Sequence, residues 1–287
     1  MTRGSFSYKW LALATVGLGM FLGTMDAGII NISFPTLSEA FGVSTATVLW
    51  IQAAPLLVST GLLLTLGRLG DLWGRRRFYI AGLAVFTAGL VLCSLAQNIY
   101  QLIGFRVVMA IGQSMMTANS SAIITAVFPP QERGRAFGIM EGIIVGAGLS
   151  SGPLAGGFLL DLLGWQSIFY ARVPLAALGT LLAWRFLKEE RGPARAVKLD
   201  PAGAITSFVA LAGLLLWLNQ GARVGWATPG LLALMAGVAA CTLAFLTIET
   251  RVAAPVVDLS LFRSRSFSLS IVAHILKFIA FASLNFL

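Results

Sequence analysis

The stretch GRLGDLWGRRR, residues 67 to 77, decides how the rest of this sequence is interpreted. It lies between two long apolar segments, residues 46 to 66 and residues 78 to 96. Its four arginines and its aspartate are costly in hydrocarbon, so we predict that these eleven residues form a short loop at a membrane surface. Small residues would let two helix ends approach closely there, while Asp71 faces a cluster of cations.

The composition of the chain also indicates a membrane protein. Apolar residues make up 57% of the sequence and charged residues only 11%, whereas a typical soluble domain is about 25% charged. The net charge of +9 is compatible with a nucleic-acid binder, but the basic residues fall in short stretches between apolar runs. We therefore expect a lipid bilayer and no nucleic acid as partner. Cys93 and Cys241 lie inside apolar segments, which favours buried thiols over a disulfide or a metal pair.

Apolar runs of membrane-spanning length recur along the whole chain. A spanning helix needs about 20 mostly apolar residues. Such runs predict an all-α membrane protein and leave no room for a soluble domain. The predicted spans are residues 10–32, 46–66, 78–96, 100–128, 136–163, 165–187, 201–219, 227–248 and 267–287.

The basic residues between these spans are distributed unevenly. The N-terminal segment and alternate connections hold sixteen lysines and arginines, and the opposite connections hold only Arg223. Cytoplasmic connections carry the excess of basic residues in membrane proteins. This asymmetry predicts a cytoplasmic N-terminus and a multi-pass protein of the plasma (inner) membrane.

Four segments together resemble one transporter family. The spacing G-x-L-x-D-x-x-G-R-R in residues 67–76 is similar to the loop between the second and third helices of the major facilitator superfamily. Residues 25–35, 102–112 and 148–157 resemble the first-, fourth- and fifth-helix motifs of its fourteen-helix drug:H+ antiporters, the EmrB/QacA type. Residues 258–267, DLSLFRSRSF, also resemble the entry into the second bundle of that family.

The resemblance implies the fold and the division of the chain. It implies an N-terminal six-helix bundle of two inverted three-helix repeats, followed by two linker helices and one helix of a second bundle. Because a fourteen-helix protein has five more helices, we expect the second bundle to be truncated. The predicted units are residues 1–187 for the first bundle, 188–200 for a cytoplasmic linker, 201–248 for two additional membrane helices, 249–266 for a cytoplasmic loop and 267–287 for the first helix of the truncated bundle.

The function implied by the resemblance is proton-driven efflux of a lipophilic or amphiphilic compound by alternating access. The sequence contains no P-loop or cofactor-binding motif, so we expect a proton gradient as the energy source and no cofactor. A different possibility stays open, because alternating access needs two bundles around one site. The chain would then be a truncated, non-transporting membrane fragment or an interaction subunit of a split transporter.

Two charged residues inside predicted spans are candidates for proton coupling. An ionisable side chain within hydrocarbon is costly and is therefore a functional candidate. The resemblance implies that Asp26 exchanges the proton and that Arg106 tunes or relays it. Met25 and Gly28 depart from the first-helix motif, as Met109 and Ala110 do from the fourth-helix motif. The alternatives are a hydrated aspartate near the outer surface and an arginine that extends to the interface.

Two glycine-containing segments are candidates for conformational roles. The resemblance implies a latch of the inward-closed state, formed by Gly67, Asp71, Gly74, Arg75 and Arg76. Residues 148–157 match the antiporter motif G-x-x-x-G-P-x-x-G-G at every defined position, and glycines four residues apart allow close helix packing. A proline within the motif is expected to bend the helix. The motif positions are Gly148, Gly152, Pro153, Gly156 and Gly157.

The same segment contains G-L-S-S-G, which matches the nucleophile elbow of hydrolases. That function requires a strand-turn-helix context and a histidine partner. The segment is apolar and helical in pattern, and His274 is the only histidine of the chain. We therefore expect that the protein is not an enzyme.

Three further charges lie inside predicted spans without a motif to explain them. Glu141, near a cytoplasmic helix end, is a candidate for the cluster around Asp71, and Arg172 lies near the outer end of its helix. Each of these two is equally compatible with a hydrated position. Lys277 lies near the depth of Asp26, so we predict that it faces the cavity and pairs with Asp26. The alternatives for Lys277 are a partner in the missing helices or an orientation towards lipid.

Overall fold

The computed structural model describes residues 3–189, 201–252 and 264–284, and within them the chain is helical without any strand. The helices are α1 (Arg3–Phe41), α2 (Thr45–Val48), α3 (Trp50–Trp73), α4 (Arg75–Ser94), α5 (Ile99–Val127), α6 (Pro130–Phe137), a π-helical segment (Gly138–Val145), α7 (Gly146–Leu163), α8 (Ser167–Tyr170), α9 (Val173–Phe186), α10 (Pro201–Val224), α11 (Pro229–Glu249) and α12 (Arg265–Leu284).

Eight helical stretches in the described part of the chain are long and apolar enough to cross a membrane. The short helices join their neighbours into single spans, so α2 extends α3, α8 precedes α9, and α6 continues through the π-helical segment into α7. This confirms the predicted all-α, multi-pass architecture. The spans are Tyr8–Phe41, Thr45–Trp73, Arg75–Ser94, Ile99–Val127, Pro130–Leu163, Ser167–Phe186, Pro201–Gly221 and Pro229–Glu249.

The first six spans pack in a repeating pattern. The first span lies along the fifth through α1 and α7, and the second lies along the fourth through α3 and α5. If the first three spans are matched in order with the next three, the contact of spans 1 and 5 corresponds to the contact of spans 4 and 2. Contacts of α4 with α5 and of α1 with α9 form a second such pair. This is the arrangement expected of two inverted three-helix repeats.

Glycines let the helix backbones approach closely at two crossings. A Cβ on Gly112 of α5 would meet the backbone of α4, with the Gly82 carbonyl oxygen at 2.6 Å. A Cβ on Gly152 of α7 would lie 2.7 Å from the Met25 carbonyl oxygen and 2.9 Å from the Gly28 Cα of α1. Small residues at interfaces are the usual means of tight packing between membrane helices.

The stretch from residue 67 to residue 77 is mostly helical, so the prediction of an eleven-residue loop was wrong. Helix α3 continues to Trp73 and α4 begins at Arg75, which leaves only Gly74 between them. Gly74 has a φ of 97°, a conformation that glycine adopts without the steric cost of a Cβ. Charged residues have to leave the hydrocarbon, but a helix that extends beyond it satisfies its own backbone hydrogen bonds. The charges therefore predicted the position of this turn correctly but not its length.

The two helices that follow the sixth span pack against each other, and the first of them also packs against the first bundle. Helix α10 contacts α11 along its length and also contacts α3, where the Phe208 ring lies over Gly61. The predicted linker at 188–200 and the predicted loop at 249–266 fall largely outside the described residues. The predicted last segment, 267–287, coincides with α12 up to its last three residues, which are also outside them.

Candidate functional site

The buried interior of the first bundle holds a cluster of one carboxylate and two guanidinium groups. Asp26 of α1 lies 2.7 Å from Nη1 of Arg172 through Oδ1 and 3.1 Å from Nη2 of Arg106 through Oδ2. A further hydrogen bond of 3.2 Å joins Arg106 Nη1 to Asp26 Oδ1. Asp26 and Arg106 are each 4% exposed and Arg172 is 3% exposed. We call these three residues the charge cluster.

Backbone carbonyl groups hold the two arginines in place. Arg106 Nε donates to the carbonyl oxygen of Ile51 at 2.9 Å, which connects α5 to the start of α3. Arg172 Nε donates to the carbonyl oxygen of Ile168 at 2.7 Å, and its guanidinium carbon lies 5.8 Å from the centre of the Phe169 ring. Arg172 itself occupies the turn between α8 and α9. The charge cluster therefore joins four spans.

The charge cluster carries more positive than negative charge. Two arginines share one aspartate, and Nη2 of Arg172 is buried without an acceptor in the described part of the chain. Buried charges are retained where they are paired and hydrogen-bonded, and a charge left without its partner is costly. Within the described ranges of the chain, Asp26 is thus the single anion in contact with these two buried cations.

The structure brings the two predicted proton-coupling residues, Asp26 and Arg106, into direct contact. It also adds Arg172, for which sequence reasoning found no partner. The available signal was depth in the membrane. Asp26 lies past the middle of the first predicted span and Arg172 about two turns after the start of the sixth, and these two ends of the spans lie on the same side of the membrane. The side chain of Lys277 is outside the described residues, so its predicted pairing with Asp26 stays a prediction.

The glycine motif of α7 packs against the segment of α1 that carries Asp26. A Cβ on Gly148 would collide with the Thr24 hydroxyl, and one on Gly156 would lie 3.0 Å from Ile32 Cδ1. The packing is reciprocal, because a Cβ on Gly28 would lie 2.9 Å from Cδ of Pro153. Gly157 faces more open space, with its nearest neighbour at 4.0 Å. Three of the motif glycines therefore hold α7 against α1 on both sides of Asp26.

The predicted latch residues lie together at the junction of α3 and α4. Arg75 Nε lies 2.8 Å from Asp71 Oδ1, and both side chains are partly exposed. Arg76 reaches the C-terminal end of α9, where it donates to the carbonyl oxygens of Leu187 at 2.5 Å and Trp184 at 2.6 Å. A guanidinium at this position satisfies carbonyl groups that the helix leaves without an intrahelical donor. The remaining latch positions, Gly67 and Gly74, lie on the last turns of α3 and at the turn itself.

Glu141 occupies the π-helical segment between α6 and α7. This segment contacts α1, and the Glu141 side chain is half-buried. Single π-helical turns within α-helices are rare and occur often at functional sites. The predicted place of Glu141 in the cluster around Asp71 stays a prediction.

One face of the bundle combines small and polar side chains on helices of membrane-spanning length. On α1 and α5 these residues recur at helical spacing, and each is at least partly exposed. The two helices meet here, because a Cβ on Gly23 would lie 2.7 Å from the Gln113 amide nitrogen. Polar residues inside a span mark water-filled paths more often than lipid contacts. We call this face the polar stripe: Thr24, Ala27, Asn31, Gln113, Thr117 and Ser121.

Comparison with known proteins places the sequence among membrane transporters. The family model "Major Facilitator Superfamily" matches residues 16–287. "Multidrug resistance protein Stp" of Mycobacterium tuberculosis (strain CDC 1551 / Oshkosh) is 33% identical over 91% of this chain and 48% of its own length. "Riboflavin transporter RibZ" of Clostridioides difficile (strain 630) is 32% identical over 91% of this chain and 56% of its own length. The chain thus spans about half the length of these curated relatives.

A solved structure supports the fold independently. The crystal structure of the human organic anion transporter MFSD10 (TETRAN) aligns with a TM-score of 0.54 over 88% of this chain and 67% of its own. The sequence identity is 17%, so this likeness concerns the fold alone.

Proposed function

This chain belongs to the major facilitator superfamily, and we propose that it acts in proton-driven efflux of lipophilic or amphiphilic small molecules. The observation that carries the proposal is the buried carboxylate of Asp26, held between arginines from two other spans. An intramembrane acid with defined partners is suited to link proton binding to helix movement. Relatives named for multidrug resistance support the substrate class.

The geometry suggests how such a link would work. A proton that binds Asp26 removes the negative charge that compensates Arg106 and Arg172. Proton uptake is therefore favoured only in a conformation in which at least one arginine has left the carboxylate. Arg106 makes the longer contacts, 3.1 and 3.2 Å against 2.7 Å for Arg172, so we propose that Arg106 is the partner that leaves. Release and rebinding of Arg106 would then accompany the alternation between inward-open and outward-open states.

The two glycine-containing segments fit the same mechanism. The contact of α7 with α1 is formed by backbone and small residues, which lets two helices stay packed while the bundle rocks. The contacts of Asp71 with Arg75, and of Arg76 with the end of α9, would stabilise the state closed to the cytoplasm. The proposal also includes a plasma-membrane location with a cytoplasmic N-terminus. Its energy source is a proton gradient, without a cofactor, and transport needs a second helix bundle in addition to this chain.

A second candidate function is a non-transporting role, as a membrane fragment or an interaction subunit of a split transporter. The chain spans only about half of the relatives named above, and transport by rocking requires two bundles around one site. Under this candidate, the buried charge cluster would serve only to hold the bundle together.

Reconstitution distinguishes the two candidates. The chain, alone and as part of its complete coding sequence, is incorporated into liposomes, and efflux of a fluorescent lipophilic dye is followed under an imposed pH gradient. Gradient-dependent flux is expected for the complete protein and should be lost in Asp26→Asn. Asp161→Asn is the matched control, because Asp161 is an exposed aspartate near the end of α7. Flux that survives in Asp26→Asn contradicts the assignment of Asp26 as the proton site. Flux from the chain alone contradicts the second candidate, a non-transporting membrane fragment.

A further inference from the structure

The electrostatics of the first bundle constrain the charge of what it transports. The polar stripe contains hydroxyl and amide groups but no carboxylate, so it offers no anionic partner to a cationic substrate. Six acidic residues fall in the first six spans, and none of them belongs to the stripe: Asp26, Glu39, Asp71, Glu132, Glu141 and Asp161. Asp26 is already shared by two arginines, Asp71 contacts Arg75, and Glu132 contacts Lys9.

The charge cluster is buried beside the same two helices. Asp26 lies on the side of α1 that faces away from the stripe, Arg106 lies on α5 about two turns before Gln113, and Arg172 adds a second cation from the start of α9. The cluster has one positive charge in excess, and one Arg172 nitrogen is buried with no acceptor among the residues that the structure describes. A substrate on the polar stripe therefore lies across a single helix from an uncompensated cation.

We propose that Arg172 is a specificity-determining residue, which makes this bundle favour neutral and anionic amphiphiles over lipophilic cations. The inference rests on the proposed transport function and narrows its substrate class. The distance across one helix is about 10 Å, and the effective dielectric constant near such sites is about 20. One unit charge then changes the binding of a monovalent ligand about 15-fold. Arg172 acts through this field and does not have to touch the substrate.

Charge-matched probes test the inference. Fluorescein is an organic anion, riboflavin is a neutral tricyclic compound, and a rhodamine methyl ester is a cation on the same xanthene ring system as fluorescein. Their binding to the complete protein in lipid nanodiscs is measured by fluorescence anisotropy at low ionic strength. We expect fluorescein and riboflavin to bind at least tenfold more tightly than the rhodamine ester. Equal or tighter binding of the cation, or binding of neither fluorescein nor riboflavin, overturns the inference.

Variants separate the charge of Arg172 from its structural contacts. Arg172→Gln should change each affinity about 15-fold in opposite directions and so shift the ratio of anion to cation affinity about 200-fold towards the cation. Arg172→Lys, which keeps the charge, should retain the parental ratio. The matched control is Arg185→Gln, because Arg185 lies on the same helix but is exposed at its end, and it should also leave the ratio unchanged. If Arg172 acted only through its structural contacts, Arg172→Lys and Arg172→Gln would change the affinity ratio alike. An unchanged ratio in Arg172→Gln would refute the role of its charge.

The binding measurement is independent of transport, so the two proposals fail in different ways. Charge-selective binding without flux driven by a pH gradient would reject proton-driven efflux and leave the role of Arg172 in place. Gradient-driven flux of the cation and the anion at equal rates, with equal affinities, would reject the role of Arg172 and leave the proposed function.

Discussion

Replacement of Asp26 by asparagine is expected to destabilise the bundle far more than replacement of either arginine. The substitution preserves the shape of the side chain but leaves Arg106 and Arg172 buried without an anion. Each arginine is less than 5% exposed, so neither can recover its hydration without a rearrangement of the helices. Breaking a buried ion pair by removing one partner costs about 3–5 kcal/mol. We expect the Asp26→Asn variant to lose an amount in that range.

The arginine variants follow from the same charge count. Arg172→Gln removes the excess cation and leaves a neutral pair of Asp26 and Arg106. The loss is then mainly that of hydrogen bonds to a charged group, about 1–3 kcal/mol. The double variant Asp26→Asn/Arg172→Gln contains one buried cation where the single Asp26→Asn variant contains two. Arg172→Gln should therefore partly rescue Asp26→Asn, which is a sign of coupling that independent sites do not show.

A buried cysteine provides the assay. Cys93 is fully buried in α4, whereas Cys241 is only partly buried, so a Cys241→Ser background leaves one thiol that is exposed on unfolding. Labelling of Cys93 by a thiol-reactive dye in detergent micelles, as a function of denaturant, gives the stability of each variant. The reasoning about charge would be refuted if the Asp26→Asn variant is as stable as the parent protein. It would also be refuted if the double variant is less stable than Asp26→Asn alone.

Two further predictions concern the latch and the helix crossing. Asp71→Asn should abolish flux while membrane insertion and expression stay normal, and Arg75→Lys should also impair flux because a point charge does not replace a planar fork; normal flux in the aspartate variant would remove the latch role. Gly152→Ala should cost about 1–3 kcal/mol in the thiol-labelling assay, because its Cβ would lie 2.7 Å from the Met25 carbonyl oxygen. Gly157→Ala is its control, with 4.0 Å of space, and a loss of equal size in both variants would contradict the packing argument.

Much of the architecture was predictable from the sequence, because the bilayer fixes the length of every apolar segment. The spans found in the structure coincide with eight of the predicted segments to within several residues, except at the N-terminus of the chain and around residues 33–41, where α1 is longer. The hydrophobicity of a segment does not indicate where its helix ends outside the membrane. The same limit explains the wrong loop at residues 67–77, since charge excludes a segment from hydrocarbon without excluding it from a helix.

The charge cluster was only partly predictable. Asp26 and Arg106 were predicted because each lies in a family motif, and the structure places them in contact. The pairing of Arg172 depends on the rotation of three helices about their own axes and on the turn at residues 171–172 that interrupts the sixth span. A single sequence indicates how deep in the membrane a residue lies along its helix. The rotation of that helix about its own axis follows from tertiary packing. Partners on different helices are therefore the least accessible part of such a site.

Helix α9 connects the two regions to which we assign function. Arg172 lies at its N-terminal end and binds Asp26, while the carbonyl groups of Trp184 and Leu187 at its C-terminal end accept hydrogen bonds from Arg76. The helix has 14 residues and is thus about 21 Å long. A hydrogen-bonded helix of this length moves largely as one body, so a displacement of Arg172 changes the geometry at Arg76 as well. The charge cluster and the residues proposed as a latch are therefore connected by one helix. Under the proposed function, proton binding at Asp26 would have a direct structural route to Arg76.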